Sequence, residues 1–269
     1  MSEQTPTPVT IATLAAMKRA GEKFACLTAY DASFATVLDA AGVELIMVGD
    51  SLGMVVQGHD TTLPVRMEDM IYHAQCVARG SQRALRVVDL PYRSYETPEQ
   101  ALGNAERLMR EGHAQVVKLE GGAAQVATVR RLTTQGIPVC SHLGLTPQSV
   151  RELGGYRVQG RDADSARIIY EDALAHQDAG TSLLVLECVP GALAHDITQA
   201  LTIPVIGIGA GPDCDAQVLV LHDMLGVTPG KRPKFVKDFL AGAGSVREAV
   251  QHYMRDVKAG TFPGPEHCY

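Results

Sequence analysis

Acidic residues follow four apolar stretches of the sequence, where carboxylates could hold a metal ion or accept a proton. They are Asp50, Asp89, Glu120 and Glu187, and the stretch before each is typical of a strand buried on both faces. A single acid after a strand is usually a helix cap or a surface residue. The carboxyl ends of the strands of a parallel barrel meet at one opening. Four acids in equivalent positions therefore favour a shared functional site.

Several carboxylates cannot share a shielded opening without compensation, because each disfavours the ionised form of its neighbours. Either their pKa values rise or a cation lies among them. Oxygen ligands of this kind suit Mg²⁺ better than zinc. We expect one Mg²⁺ held by Asp50 and Asp89, with Glu120 attached through water. Such an ion would polarise a substrate carbonyl as a Lewis acid.

Glu187 and Lys118 are the candidates for proton transfer and substrate binding. Glu187 lies between Leu186 and the run 188–190, and this apolar setting predicts a raised pKa and the role of general base. Lys118 precedes Glu120 by two residues, so both side chains leave their strand on the same side. We expect Lys118 to neutralise a substrate carboxylate or to stabilise an enolate oxygen. A simple salt bridge is its structural alternative.

Strand and helix patterns alternate along the chain, which predicts parallel strands joined by crossover helices. Eight strand candidates favour an α/β fold, a (β/α)8 barrel forming a single domain over residues 1–269, and a flavodoxin-like open sheet is the alternative. We expect a helix within Pro8–Gly21 to plug the bottom of the barrel and helices within Lys234–Val257 to close it. The glycine-containing segment Gly53–Pro64 is predicted to be a loop that acts as a lid. His142, after a fifth strand, fits a structural role as well as a functional one.

Composition narrows the class of protein. The 269 residues carry a formal charge of −6 with dispersed basic residues, which argues against nucleic-acid binding. No apolar run approaches the length of a membrane span, and Met1–Val9 has no apolar core of a secretory signal. The six cysteines show no C-x-x-C pair or zinc-like spacing. We expect a cytoplasmic protein with reduced thiols.

Long motifs connect these residues to a known family. From about Thr10 to the C-terminus the chain resembles the ketopantoate hydroxymethyltransferases. The motifs that carry the resemblance are Leu27–Asp31, Val48–Met54, Gln57–Pro64, Lys118–Gly122, His142–Gln148, Gly155–Arg161 and Ile206–Gly211.

The resemblance implies an activity and an assembly. It implies a Mg²⁺-dependent barrel of the phosphoenolpyruvate/pyruvate type that catalyses the first committed step of pantothenate synthesis. In that reaction 5,10-methylenetetrahydrofolate donates a one-carbon unit to α-ketoisovalerate, which gives ketopantoate and tetrahydrofolate. The family is usually a homodecamer, a pentamer of dimers.

The resemblance also implies residue roles, which match the motifs position by position. Asp50, Asp89 and Glu120 attach to one Mg²⁺ per subunit, directly or through water. Asp50, Ser51, Asp89 and Lys118 contact the keto acid. Glu187 accepts the proton. The motifs do not identify the residues that bind folate.

Two other functions are consistent with the residues alone. A lysine at a barrel mouth permits Schiff-base aldolase chemistry, with Lys118 as the nucleophile. A non-catalytic barrel could also serve only as a ligand-binding or assembly module, although such a protein has no use for the acids at the strand ends.

Overall fold

The computed structural model describes residues 7–150, 154–230 and 232–269. Within these residues, eight parallel strands pair in sequence order and the last pairs with the first, so the sheet closes into a barrel. This closure confirms the predicted (β/α)8 fold and excludes the open sheet. The strands are β1 Phe24–Thr28, β2 Leu45–Val48, β3 Leu85–Asp89, β4 Val116–Glu120, β5 Val139–Gly144, β6 Leu183–Glu187, β7 Val205–Ile208 and β8 Ala216–Leu219.

Helices precede, connect and follow the strands. In the described part of the chain none of them is long and apolar enough to cross a membrane. The helices are α1 Ile11–Ala20, α2 Ala32–Ala41, α3 Leu52–Val55, α4 Met67–Gly80, α5 Pro98–Arg110, α6 Val126–Thr133, α7 Ala163–Asp178, α8 Gly191–Ala200, α9 Leu221–Met224 and α10 Val246–Lys258.

The C-terminal closing segment is less helical than predicted. Residues 232–245 are irregular, and the helix α10 begins only at Val246, after Ser245 caps its first turn. Pro233, Gly242 and Gly244 fall in the irregular part, and both residue types oppose a helix interior. The prediction of helices throughout Lys234–Val257 is therefore wrong for its first half.

The predicted lid segment starts with a helical turn. Gly53 lies inside α3, whereas the sequence interpretation made the whole of Gly53–Pro64 a loop. A Cβ at this glycine would stand 2.6 Å from Val65 Cγ2, so the turn depends on a close approach that only glycine allows. The remainder is irregular, with His59 and Asp60 exposed to solvent.

Inner side chains of the barrel change character along its axis. At the amino-terminal end they are apolar and pack against Leu14 of α1, as predicted for a helix that plugs this end. This inner cluster includes Phe24, Leu45, Leu85, Val116, Leu183 and Ala216. Because side chains alternate along a strand, the inner positions at the opposite end fall on Asp89, Lys118, Glu120, His142 and Glu187.

The helix α10 seals the seam where the barrel closes. The buried Tyr253 hydroxyl shares its one hydrogen between two carbonyl oxygens, that of Cys26 on β1 at 3.0 Å and that of Gln217 on β8 at 2.7 Å. Its ring packs edge-on against Phe239 and Phe262 at centroid distances of 5.4 and 5.8 Å. One side chain therefore ties the helix to the first and last strands.

The variant Tyr253→Phe tests this seam. It removes the shared hydrogen bond to β1 and β8 but keeps the ring, so we expect the free energy of unfolding to fall by about 1–2 kcal/mol. The matched control is Tyr72→Phe, because Tyr72 is 62% exposed and its change should be close to neutral. Chemical denaturation measures both. Equal stability of the two variants would show that the seam does not depend on the hydroxyl.

Candidate active site

The carboxyl end of the barrel gathers the acids that the sequence singled out, which we call the acid cluster: Asp50, Asp89, Glu120 and Glu187. Asp50 follows β2 by two residues, and each of the others ends its strand. The first three are buried, with at most 5% of the residue exposed, and the Glu187 side chain is 13% exposed. The structure thus brings these residues to one opening, while their catalytic roles stay predictions.

Contacts run across the cluster without a break. The backbone N–H of Asp50 donates to Asp89 Oδ2 at 3.2 Å, and Lys118 Nζ lies 2.9 Å from the same oxygen. Lys118 Nζ is also 3.6 Å from Glu120 Oε1. The ion pair that the sequence gave as an alternative for Lys118 is therefore present, with Asp89 as its closer partner.

His142 continues this line of contacts to the fourth acid. Its Nδ1 lies 3.2 Å from Glu120 Oε1, and its Nε2 lies 3.3 Å from Glu187 Oε2. The pairing of β4 with β5 places Glu120 directly beside His142, which explains the first contact. His142 thus lies between the partly exposed Glu187 and the three buried acids.

Burial raises the pKa values of two acids of the cluster, Asp50 and Asp89, and neighbouring charges add to this effect or oppose it. Burial raises the pKa of Asp50 well above its usual range, and the charges of Glu120 and Asp89 raise it further. Burial also raises the pKa of Asp89, against the opposing effect of Lys118. Protons therefore compete with any cation for these two carboxylates.

The neighbouring groups are held in their charged forms. Burial alone would lower the pKa of Lys118, but Asp89, Glu120 and Asp50 raise it above its ordinary value. Burial would likewise lower the pKa of His142, but Glu120 and Glu187 raise it to about 9. His142 and Lys118 in turn outweigh burial at Glu120 and keep its pKa below the usual range.

The setting of Glu187 differs from the apolar one predicted. Its chain neighbours are apolar, but Leu186 and Val189 belong to the core between the barrel and the outer helices. Successive side chains of a strand point to opposite faces, so Glu187 turns inward and meets the imidazole of His142 instead. The nearest partner comes from another strand, which the local sequence does not reveal.

Gln148 is a site residue that sequence reasoning missed. Its Nε2 donates to Asp50 Oδ2 at 2.8 Å and to the Leu90 carbonyl at 3.0 Å, and its backbone N–H donates to Glu120 Oε2 at 3.0 Å. The Tyr95 hydroxyl donates to its Oε1 at 2.5 Å. The residue is neutral and lies in a short turn after β5, so neither charge nor periodicity marked it. Its place at the end of the motif His142–Gln148 was the only signal.

Ser51 is held at the edge of the cluster by another residue that was not predicted. Its Oγ lies 2.8 Å from the Tyr30 hydroxyl, and His73 Nδ1 lies 2.7 Å from the Tyr30 carbonyl oxygen. Gly49 leaves the space that this arrangement needs, because a Cβ there would stand 2.9 Å from Ser51 Oγ and 3.5 Å from Asp89 Oδ2.

The segment after β5 contacts the helical turn that starts the predicted lid segment. The Tyr156 hydroxyl lies 3.7 Å from Met54 Sδ in the predicted lid segment. Burial raises the pKa of Tyr156, and the charges of Glu187, Asp50 and Glu120 raise it further.

Comparison with known proteins identifies the family. A family model described as ketopantoate hydroxymethyltransferase matches residues 8–265. The chain belongs to the ketopantoate hydroxymethyltransferase family. A relative from Methylococcus capsulatus, named 3-methyl-2-oxobutanoate hydroxymethyltransferase, is 59% identical over 262 residues, which cover 97% of each chain. One of the same name from Shewanella loihica is 56% identical over 261 residues, covering 97% of this chain and 98% of its own. The protein is therefore a hydroxymethyltransferase.

Solved structures with low sequence identity share the barrel. A 2,3-dimethylmalate lyase, described as a member of the PEP mutase/isocitrate lyase superfamily, aligns with a TM-score of 0.57 at 18% identity, covering 82% of this chain and 84% of its own. A phosphonopyruvate hydrolase solved with oxalate and Mg²⁺ aligns with a TM-score of 0.61 at 13% identity, covering 93% and 98%. These similarities show that the chain shares the barrel fold of these proteins.

The donor set suits a hard cation that keeps part of its hydration. Asp89 Oδ1 is buried and accepts no hydrogen bond from the residues that the structure describes. Both oxygens of Glu120, in contrast, already accept hydrogen bonds, from His142 and from the Gln148 backbone. Among residues 7–150, 154–230 and 232–269 no group of three or more His, Cys, Asp or Glu side chains is arranged so that it could hold a metal ion. Two carboxylates with water or substrate completing the shell fit Mg²⁺.

The variant Gly49→Ala tests the packing around Ser51. The added methyl group must displace the serine hydroxyl from Tyr30, so we expect hydroxymethyltransferase activity to fall by about 10- to 100-fold through misplacement of site groups. The control is Gly103→Ala in α5, where a Cβ meets nothing within 4 Å. Activity and thermal unfolding should be measured for both. Full activity of Gly49→Ala would show that the Ser51 position is not needed.

Proposed function

We propose that this hydroxymethyltransferase moves a one-carbon unit from 5,10-methylenetetrahydrofolate to α-ketoisovalerate, giving ketopantoate in the first committed step of pantothenate synthesis. The observation that carries the proposal is the unbroken line of contacts from Asp50 to Glu187 at one end of the barrel. It combines open carboxylate oxygens with a base candidate in a member of this family.

The charge balance of the site supports a divalent cation. Among the described residues, the four carboxylates of the acid cluster contact two cationic groups, Lys118 and His142. Two negative charges then lack a partner when all four acids are ionised. We assign one Mg²⁺ per subunit to Asp50 and Asp89, with Glu120 attached through water because its oxygens are engaged. A barrel of this type solved with oxalate and Mg²⁺ is consistent with that choice.

When bound, the ion would supply Lewis-acid polarisation of the substrate carbonyl, worth several kcal/mol in the transition state. The chain itself supplies the remaining contacts to the keto acid. Lys118 presents a buried positive charge to the substrate carboxylate, and the Ser51 hydroxyl, oriented by Tyr30, donates beside it. The backbone and carboxylates of Asp50 and Asp89 complete this side of the pocket.

Glu187 is placed to remove the proton from C3 of α-ketoisovalerate. It is the acid of the cluster that reaches solvent and therefore substrate, whereas the other three are buried. The electron pair left on C3 forms the new bond to the methylene carbon of the folate as one C–N bond of that carbon breaks, and its nitrogen takes the displaced pair. Water then replaces the second nitrogen on the methylene carbon and supplies the hydroxyl group of ketopantoate, while that nitrogen takes up a proton and tetrahydrofolate leaves. Closure of the segment Gly53–Pro64 over the opening would keep water from the reactive methylene group until the carbon–carbon bond has formed.

The Schiff-base alternative requires a neutral lysine, and the structure opposes it. Lys118 Nζ lies 2.9 Å from Asp89, and the surrounding acids hold the pKa of this lysine above its ordinary value. A protonated amine is not a nucleophile. We therefore assign Lys118 an electrostatic role.

The remaining expectations rest on the family resemblance. We propose a cytoplasmic homodecamer, a pentamer of dimers, whose partners are the keto acid and folate and neither nucleic acid nor membrane. We also propose that residues 1–269 form one catalytic domain.

Replacing the base tests the proposal. Glu187→Gln keeps the shape of the side chain but cannot accept a proton, so we expect exchange of the C3 proton of α-ketoisovalerate for deuterium to slow by about 10²- to 10⁴-fold. Affinity for Mg²⁺ and for the keto acid should stay near that of the wild type. Proton NMR in D₂O measures the exchange.

The control for this experiment is Glu171→Gln, which removes an equal charge from an exposed position on α7. It should exchange the proton like the wild type. Wild-type exchange by Glu187→Gln would eliminate Glu187 as the base.

A further inference from the structure

His142 and His176 are both buried but differ in how their ring nitrogens are used. His176 Nδ1 lies 2.7 Å from Ser141 Oγ and its Nε2 lies 3.0 Å from the Gly122 carbonyl oxygen, so its polar atoms are satisfied between α7 and the barrel. His142 has one satisfied nitrogen, Nδ1. Its Nε2 is buried and forms no well-aligned hydrogen bond with the described residues.

That free nitrogen points toward the base. His142 Nε2 lies 3.3 Å from Glu187 Oε2, which is close enough for an ion pair although the N–H is not aligned for a hydrogen bond. A buried donor without a partner costs about 1–3 kcal/mol. A fold that needed only the Glu120 contact could place a smaller or apolar group there at lower cost. The position of Nε2 therefore indicates a use for it at Glu187.

We propose that His142 is a positioning residue that orients the Glu187 carboxylate toward the substrate through Nε2, while Nδ1 anchors the imidazole on Glu120. This inference rests on the proposed role of Glu187 as the base. Glu187 ends its strand and is partly exposed, so without a partner it can adopt several rotamers. One contact from a rigid ring narrows that choice before substrate arrives.

The ring also connects the two halves of the site. Glu120 accepts from His142 on one oxygen and from the Gln148 backbone on the other, so it is fixed from both sides. Because Glu120 is fixed, the imidazole of His142 is held in one orientation, and its Nε2 in turn restricts the position of the Glu187 carboxylate. The base and the acids proposed to hold Mg²⁺ are thereby kept at a constant separation, as partners in a surrounding shell do for other metal sites.

Two substitutions separate the roles of the ring nitrogens. The amide nitrogen of glutamine reaches about as far as Nε2 of histidine, whereas that of asparagine reaches about as far as Nδ1. His142→Gln should therefore keep a donor for Glu187, and His142→Asn should keep a donor for Glu120. We expect deuterium exchange at C3 to slow by about 100-fold in His142→Asn and by less than about 10-fold in His142→Gln.

Affinity for Mg²⁺, measured by calorimetry, should follow the reverse order, with the larger loss in His142→Gln. The KM for α-ketoisovalerate should change by less than about threefold in both variants, because the substitutions should slow the exchange of the C3 proton without weakening substrate binding. A purely structural histidine would not produce opposite orders in two measurements on folded protein. The control His176→Gln should lower thermal stability while the folded fraction exchanges the proton at the wild-type rate.

The outcomes also separate this inference from the proposed function. If wild-type protein fails to exchange the proton, or Glu187→Gln exchanges it normally, the proposed function fails first. If Glu187→Gln is inactive but His142→Asn exchanges like the wild type, only the positioning role is overturned. Equal losses in His142→Asn and His142→Gln would likewise overturn it.

Discussion

The site depends on holding four carboxylates at one end of a barrel, where the residues that the structure describes bring only two cationic groups, Lys118 and His142, into contact with them. Desolvation of ionised groups is costly, and like charges add to that cost. Lys118 and His142 neutralise part of the cluster, and each is placed between two acids rather than beside one. The remaining deficit is concentrated at Asp50 and Asp89, whose pKa values are raised. A divalent cation would offset that deficit, which is the physical basis of the Mg²⁺ proposed for this site.

The barrel makes this arrangement possible because the same alternation of side chains along each strand sets the inner positions at both of its ends. Inner positions at the amino-terminal end are apolar and covered by α1, and two to four residues further along β3, β4 and β6 the inner positions become charged. Burial of the apolar inner side chains stabilises the barrel. The charged side chains are held in place because they leave the same strands. On β4 this change occurs within three alternate residues, Val116, Lys118 and Glu120.

Sequence patterns predicted the parts of the molecule that are set by local periodicity. Apolar strands with acids at their ends gave the barrel and the acid cluster, because a period of two fixes which side chains face inward. Local periodicity does not predict contacts between segments that are distant in the sequence. The partner of Glu187 is His142 from the adjacent strand β5, so its apolar chain neighbours gave the wrong setting.

The neutral site residue Gln148 was missed because its partners also lie far from it in the sequence. Gln148 contacts Asp50 through its side-chain amide and Glu120 through its backbone N–H, but apart from its place in the motif His142–Gln148 its local sequence does not indicate a site residue. The first half of Lys234–Val257 was predicted to be helical, although it follows Pro233 and contains Gly242 and Gly244. In the structure the backbone restrictions of those residues decide the outcome.

The central claim is that a divalent cation completes this site and activates the keto acid for loss of a proton to the protein. The most direct measurement is proton NMR of α-ketoisovalerate in D₂O with the wild-type enzyme, in Mg²⁺ and after treatment with EDTA, without folate. We predict that the C3 proton signal disappears in Mg²⁺ and persists in EDTA. Exchange at the same rate in both solutions would contradict the account.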